Sequence, residues 1–173
     1  MYPDRSFLVG VLLALPVAST NAAMTQPPNP YVDKGACPFE CCTYRDWKTT
    51  KPITLVNRPN GHRSVARVAA GNTVHAITGE VISTPLRVVA PTSYADSPIK
   101  KGDAFYVLHY AGEGFSHVWF EGKSYDVELD QSGATVEGPP QDGAAWWAQI
   151  RTRNGKSGWV LVKDQFENQD ACA

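Results

Sequence analysis

The feature that most constrains this chain lies near its end, where Trp146-Trp147-Ala148-Gln149-Ile150-Arg151-Thr152-Arg153 runs through Asn154-Gly155-Lys156-Ser157 into Gly158-Trp159-Val160-Leu161-Val162. Two short alternating runs joined by an Asn-Gly turn predict a β-hairpin with one buried face. A strand has a period of two, so adjacent Trp146 and Trp147 point to opposite faces. The phase with Ala148 and Ile150 puts Trp146 inside. Trp147 then lies outside with Gln149 and Arg151, and Trp159 is expected in the core of the closing strand.

The rest of the chain breaks into pieces of the same kind. Fourteen glycines and thirteen prolines in 173 residues punctuate runs rich in Val, Thr, Tyr and Trp, which points to an all-β fold. The length suits one ordinary domain or two small ones. A first unit over 50–92 is expected from strands at Ile53–Val56, Val65–Val68, Thr73–Thr78 and Leu86–Val89. After a proline-bounded polar linker, a second unit over 98–167 takes Ala104–Tyr110, Phe115–Phe120 and Ser124–Leu129 together with the Trp146 and Trp159 strands. Gly71-Asn72-Thr73-Val74 with Gly79-Glu80 echoes Gly102-Asp103-Ala104-Phe105 with Gly112-Glu113. The echo suits either a duplication or the common composition of a strand start.

At the N-terminus, Arg5 precedes an apolar run from Phe7 to Ala18, followed by the small residues Ser19 to Ala23. This reads as a secretory signal peptide over 1–22, too short for a bilayer span of roughly twenty residues. A secreted or periplasmic location follows, with no transmembrane anchor after signal removal. Residues 23–49 form a proline- and cysteine-rich segment whose Thr25–Pro30 stretch lies extended, and residues 168–173 form a short tail. The four cysteines are Cys37, Cys41, Cys42 and Cys172. In an oxidising compartment an even count predicts disulfides. Adjacent Cys41 and Cys42 would close only with strain, so Cys37 pairs with one of them and Cys172 with the other. Zinc is disfavoured because paired C-x-x-C knuckles are missing, and a thioredoxin-type motif is missing for the same reason.

Ile53 to Asn57 followed by Arg58-Pro59-Asn60-Gly61 resembles the first strand and turn of the bacterial SH3-like (SH3b) domain family. Val68-Ala69-Ala70-Gly71-Asn72-Thr73-Val74 is similar to that family's glycine-led hairpin, and Gly155-Lys156-Ser157-Gly158-Trp159-Val160 resembles its G-x-x-G-W-V closure. The resemblance implies two small SH3-like β-barrels in tandem. The first unit departs from the pattern, since Thr84-Pro85-Leu86-Arg87 follows Gly79-Glu80 where a G-W-V strand belongs. The family implies binding: an exported, non-enzymatic module of the bacterial cell envelope that recognises peptidoglycan or a peptide, without a cofactor.

Charge and side chains narrow the role further. Sixteen Lys and Arg against seventeen Asp and Glu give a net charge of −1, so no basic field draws the chain to nucleic acid. Tyr106, Tyr110, Phe115, Trp119, Tyr125, Trp146, Trp147 and Trp159 exceed what one small barrel buries. Tyr110, Trp119 and Trp147 are the candidate binding platform for an envelope polymer or a peptide or protein ligand. Packing under the cysteine segment is the alternative for Trp147. His62, His75, His109 and His117 fall in different strands or turns, none beside a nucleophile elbow. His109 and His117 face each other if the Gly112-Glu113-Gly114 hairpin forms, and Glu113 or Glu121 would complete a metal site there; histidines without such a role are commoner, and no metal is expected. Asp126, Glu128 and Asp130 alternate onto one solvated strand face. Two readings from other classes stand beside binding: a small secreted cysteine-dependent hydrolase or redox protein, and a structural partner subunit of an envelope complex.

Overall fold

The computed structural model describes residues 26–129 and 143–172. The expected signal peptide, Asp130 and nearly all of the Gly133-to-Gly143 loop fall outside those residues. The fold is all-β, and among the described residues no helix is long and apolar enough to cross a membrane. Among the described residues twelve strands form: β1 (Tyr31–Lys34), β2 (Asp46–Thr49), β3 (Ile53–Val56), β4 (Ser64–Val68), β5 (Thr73–Ser83), β6 (Leu86–Val89), β7 (Ala104–Gly112), β8 (Phe115–Phe120), β9 (Lys123–Glu128), β10 (Ala145–Arg151), β11 (Ser157–Leu161) and β12 (Phe166–Glu167).

Eight strands make one sheet, in the order β12-β2-β5-β10-β11-β3-β4 with β1 also on β5, curled into a half-barrel. The other four make a separate antiparallel sheet, β6-β7-β8-β9. Each sheet has its own core. In the half-barrel, alternate residues of β2 and β3 turn inward, and Trp47, Leu55, Ala148 and Ile150 are fully enclosed. Trp47 is the centre of an aromatic cluster, with ring centroids 5.7 Å from Tyr44, 5.8 Å from Trp146 and 5.2 Å from Phe166. Burying a ring of that size removes on the order of 200 Å² from water. The smaller core gathers Ile99, Phe105, Val107, Val118 and Val127.

Sheet membership follows a different division from the expected units of 50–92 and 98–167. Leu86–Val89, expected to complete the first sheet, pairs with β7 of the second. The Trp146 and Trp159 strands, expected in the second unit, pair with β5 and β3 of the half-barrel. Two strands also arise in the segment before residue 50, which supplies Trp47 to the core. Local alternation identifies strands but not their partners, and partner choice here spans much of the chain.

β5 runs past the Thr78 end expected for it because Gly79 is a point of close approach and not a turn. A Cβ there would collide with the Tyr44 hydroxyl, Trp146 Nε1 and the Ala36 carbonyl. Those groups form a half-buried chain: Trp146 Nε1 donates to Tyr44 Oη at 3.1 Å, and Tyr44 Oη donates to the Ala36 carbonyl. Glycine inside a strand commonly marks such an approach.

Candidate binding surfaces

The cysteine segment is tied to the C-terminal tail. Cys37 bonds to Cys42 and Cys41 to Cys172, which settles the pairing that the sequence leaves open and engages all four thiols. Backbone bonds follow the bridge: Thr43 N–H donates to the Gln169 carbonyl at 2.9 Å, and Ala171 N–H donates to the Cys41 carbonyl at 2.8 Å. Arg45 adds donors to the Asn168 and Asp170 carbonyls. The same segment reaches the small sheet, since the backbone of Phe39 and Glu40 lies against Gly112, whose φ of 109° only glycine adopts readily. Glu40 and Glu113 meet there, and the hydrogen bond and repulsion between them hold the Glu40 carboxyl above its usual range.

A second junction between the sheets is polar. His109 and His117 are cross-strand partners on β7 and β8 with ring centroids 5.4 Å apart, as their sequence spacing allows. Their carboxylate partners are Asp33 and Asp126, not Glu113 or Glu121. His109 Nε2 lies 2.9 Å from Asp33 Oδ2, and His117 Nδ1 lies 2.7 Å from Asp126 Oδ1. Glu113 and Glu121 instead occupy turn positions with φ of 50° and 48°. His109 is buried, and its Nδ1 donates to the Tyr110 carbonyl at 2.8 Å. Both ring nitrogens therefore face oxygen atoms. The His109 hydrogen bond, reinforced by the charges of His109 and His117, holds the Asp33 carboxyl below its usual range against the opposing effect of burial. The Asp33–His109 pair joins β1 of the half-barrel to the small sheet, while His117 and Asp126 pair within that sheet. Among the described residues the one group of potential metal ligands drawn close together is Cys41, Asp170 and Cys172, and both of its sulfurs are already in the Cys41–Cys172 bridge.

The three expected platform residues occupy three places, and no ring contact joins them among the described residues. Trp119 sits in the seam, its ring 6.2 Å from that of Tyr31, with its Nε1 covered and without a hydrogen-bond partner. Tyr110 is 36% exposed, and its hydroxyl accepts from Gly114 N–H at 3.3 Å across the β7–β8 turn. Trp147 is on the outer face of the half-barrel while Trp146 packs inward against Trp47 and Phe39.

The outer face holds a tryptophan that sequence reasoning placed inside. Gly158 and Val160 are buried and Trp159 is only half-buried, so Trp159 turns outward opposite Gln149. The inward position goes to Gly158 because Leu55 and the Val56 carbonyl approach too closely for a side chain. The phase of Gly158, Val160 and Val162 was the signal for this orientation. Leu161 opposes Trp147 on β11, so Trp159 is the diagonal neighbour of Trp147 across the β10–β11 pair. Diagonal neighbours on one face lie about 7–8 Å apart, within reach of large rings. Trp147 Nε1 is covered, so the accessible part of that side chain is not its hydrogen-bonding atom.

Further along the same sheet, the β4–β5 turn and the β10–β11 turn flank two adjoining cavities of about 310 and 370 Å³. Arg67, Arg151, Arg153 and Lys156 line them. No protein-family model matches the chain, and neither a curated protein nor a solved structure matches it.

Proposed function

We propose that the chain is an exported, non-enzymatic binding module of the bacterial cell envelope, secreted or periplasmic, that holds peptidoglycan or a peptide on the outer face of an SH3-like half-barrel. The observation that carries this reading is that Trp147 and Trp159, diagonal neighbours and both half-buried, turn to the same outer side of β10 and β11. Two partly exposed indole rings on one face offer apolar surface to a sugar ring or a proline, and aromatic residues of this kind dominate binding hot spots. The SH3-like reading is supported by where its motifs fall. The pieces at 53–61, 68–74 and 155–160 fall on β3, β4, β5 and β11 and on the turns beside them, and those strands are members of one sheet. Residues 98–167, expected as the second SH3-like unit, divide between β7–β9 of the small sheet and β10–β12 of the half-barrel. With every cysteine in a bridge, no thiolate serves a cysteine-dependent hydrolase, and the bridges suit an oxidising compartment.

The test is capture of the mature protein by intact peptidoglycan sacculi, compared with capture from envelope extract. Trp147→Ala and Trp159→Ala are each expected to weaken capture about 30-fold, the equivalent of a 2 kcal/mol hot spot, with melting temperatures close to the parent. Intact capture with lowered melting temperatures would make both rings architectural. Retention of one discrete envelope protein, with no binding to sacculi, would instead support the partner-subunit reading.

A further inference from the structure

We propose that the open end of the half-barrel is a binding site for a phosphate-bearing anion. There the edge strand β4 and the start of β5 flank the β10–β11 turn. The two cavities between them share Thr73, Val74, Thr152 and Arg153, so they form one continuous groove. Arg67, Arg153 and Lys156 line one half and Arg151 and Arg153 the other. The one carboxylate on the groove wall is Asp46, whose Oδ1 is 2.9 Å from His75 Nδ1.

What sets the groove apart is that four cations line it together, since single cations without an ion pair, Lys34 and Arg58 among them, also occur elsewhere on the half-barrel. Lys48 reaches Glu167 at 3.5 Å and Lys51 reaches Asp164 at 2.5 Å, whereas Arg67, Arg151, Arg153 and Lys156 have no ion-pair partner among the described residues. Sixteen cations and seventeen anions are enough to neutralise one another. Four cations gathered without a counter-charge repel in the folded state, and a bound anion relieves that repulsion.

The groove is also held in shape before any ligand arrives. Thr152 N–H donates to the Lys156 carbonyl and Gly155 N–H to the Thr152 carbonyl, both at 2.9 Å. Gly155 has φ 81°, in the left-handed region that glycine adopts without a steric cost. On the facing side, Thr49 Oγ1 and Asn72 Nδ2 both donate to the Ala69 carbonyl, at 2.8 and 3.1 Å. Fixed backbone on both rims limits the ordering cost of binding to the side chains.

Phosphate suits the groove better than a carboxylate does. It presents three acceptor oxygens to guanidinium forks, which bind it bidentately, and concentrates more charge in the same volume. The groove is separate from the tryptophan face. Trp147, Gln149 and Arg151 nevertheless alternate onto one side of β10, and four residues of strand place Arg151 about 13 Å from Trp147. A ligand with a phosphate at that distance from a ring would meet both.

Titration of the full chain with tripolyphosphate, read by calorimetry and by amide shifts, tests the site. Expected are binding that weakens with added salt and shifts centred on Asn72, Thr73, Thr152 and Gly155. Arg67→Gln combined with Arg153→Gln should weaken binding at least about tenfold with an unchanged melting temperature. Lys48→Gln with Lys51→Gln, at paired positions outside the groove, should leave it within about twofold. No binding, shifts elsewhere, or equal loss in the two double variants would overturn the site. Tighter binding of triglutamate than of tripolyphosphate would overturn the choice of phosphate.

Discussion

The two sheets are assembled on opposite plans. In the small sheet, β6 to β9 are consecutive in the chain and pair in that order, with tight turns joining β7, β8 and β9 and residues 90–103 joining β6 to β7. The half-barrel takes β1 to β5 from before this insertion and β10 to β12 from after it, and its main contact joins β5, ending at Ser83, to β10, beginning at Ala145. Closing such a loop costs entropy before any contact repays it. The ties across the chain are concentrated accordingly. The half-barrel holds the Cys41–Cys172 bridge, with a sequence separation of 131, while the small sheet has no disulfide of its own and relies on its core and on the Asp33–His109 seam.

The largest effects should come from removing the central ring of either core. Trp47→Ala is expected to destabilise the protein by about 3 to 5 kcal/mol and Phe105→Ala by a similar amount. The comparison predicts that hydrogen exchange separates them: Trp47→Ala loosens β2, β5 and β10 first, and Phe105→Ala loosens β7 and β8 first. Uniform loss of protection over both sheets in either variant would mean that the two cores unfold as one unit and that the assembly difference has no energetic counterpart.

How much of this was legible beforehand depended on distance along the chain. The strands of the small sheet, the Asn154-Gly155 turn and the opposite facing of Trp146 and Trp147 all follow from local alternation. The partnership of β10 with β5 does not, because a strand's period says which face is apolar and nothing about which distant edge it meets. Trp159 was misplaced for a related reason: ring size suggested burial, while the close approach of Leu55 reserves the inward position for Gly158. Asp33 gave no signal at all, since its partner His109 is 76 residues away. The groove cations were visible as residues but not as neighbours, because β4 and the β10–β11 turn meet only once the sheet curls.

The next effect sharpens the comparison through the bridges. Replacing Cys41 and Cys172 together by serine should cost about 2 to 4 kcal/mol, near the range for a long closed loop, and the loss should appear first in β12 and β2. Replacing Cys37 and Cys42, with a sequence separation of 5, should cost about 2 kcal/mol at most, since so short a loop has little closure entropy to lose. Thermal melts of the two double variants decide the order. If the short bridge matters more, the staple acts by shaping the segment around Phe39 and not by joining the chain ends.

The smallest effect contrasts two tyrosines, one in each core. Burial pushes Tyr44 up to about 12, partly offset by the hydrogen bond from Trp146, and burial alone raises Tyr94 in the small sheet. A pKa raised in the folded state contributes stability that is fully present below the unfolded value near 10 and is lost as pH rises through the folded one. The Tyr44 contribution should therefore fade between about pH 10 and pH 12. Tyr44→Phe is expected to cost about 1 to 2 kcal/mol at neutral pH, because it leaves the Ala36 carbonyl and Trp146 Nε1 without their partner, and to flatten the alkaline loss of stability. Tyr94→Phe should change the neutral value less, since no hydrogen bond from its hydroxyl is present among the described residues and burial is the whole cause of its shift. Denaturant titrations at pH 7, 10 and 11 separate the two, while ultraviolet titration of the parent should show Tyr44 among the last phenols to ionise. An alkaline slope that survives in Tyr44→Phe and vanishes in Tyr94→Phe would place the pH-sensitive junction in the small sheet and reverse the assignment.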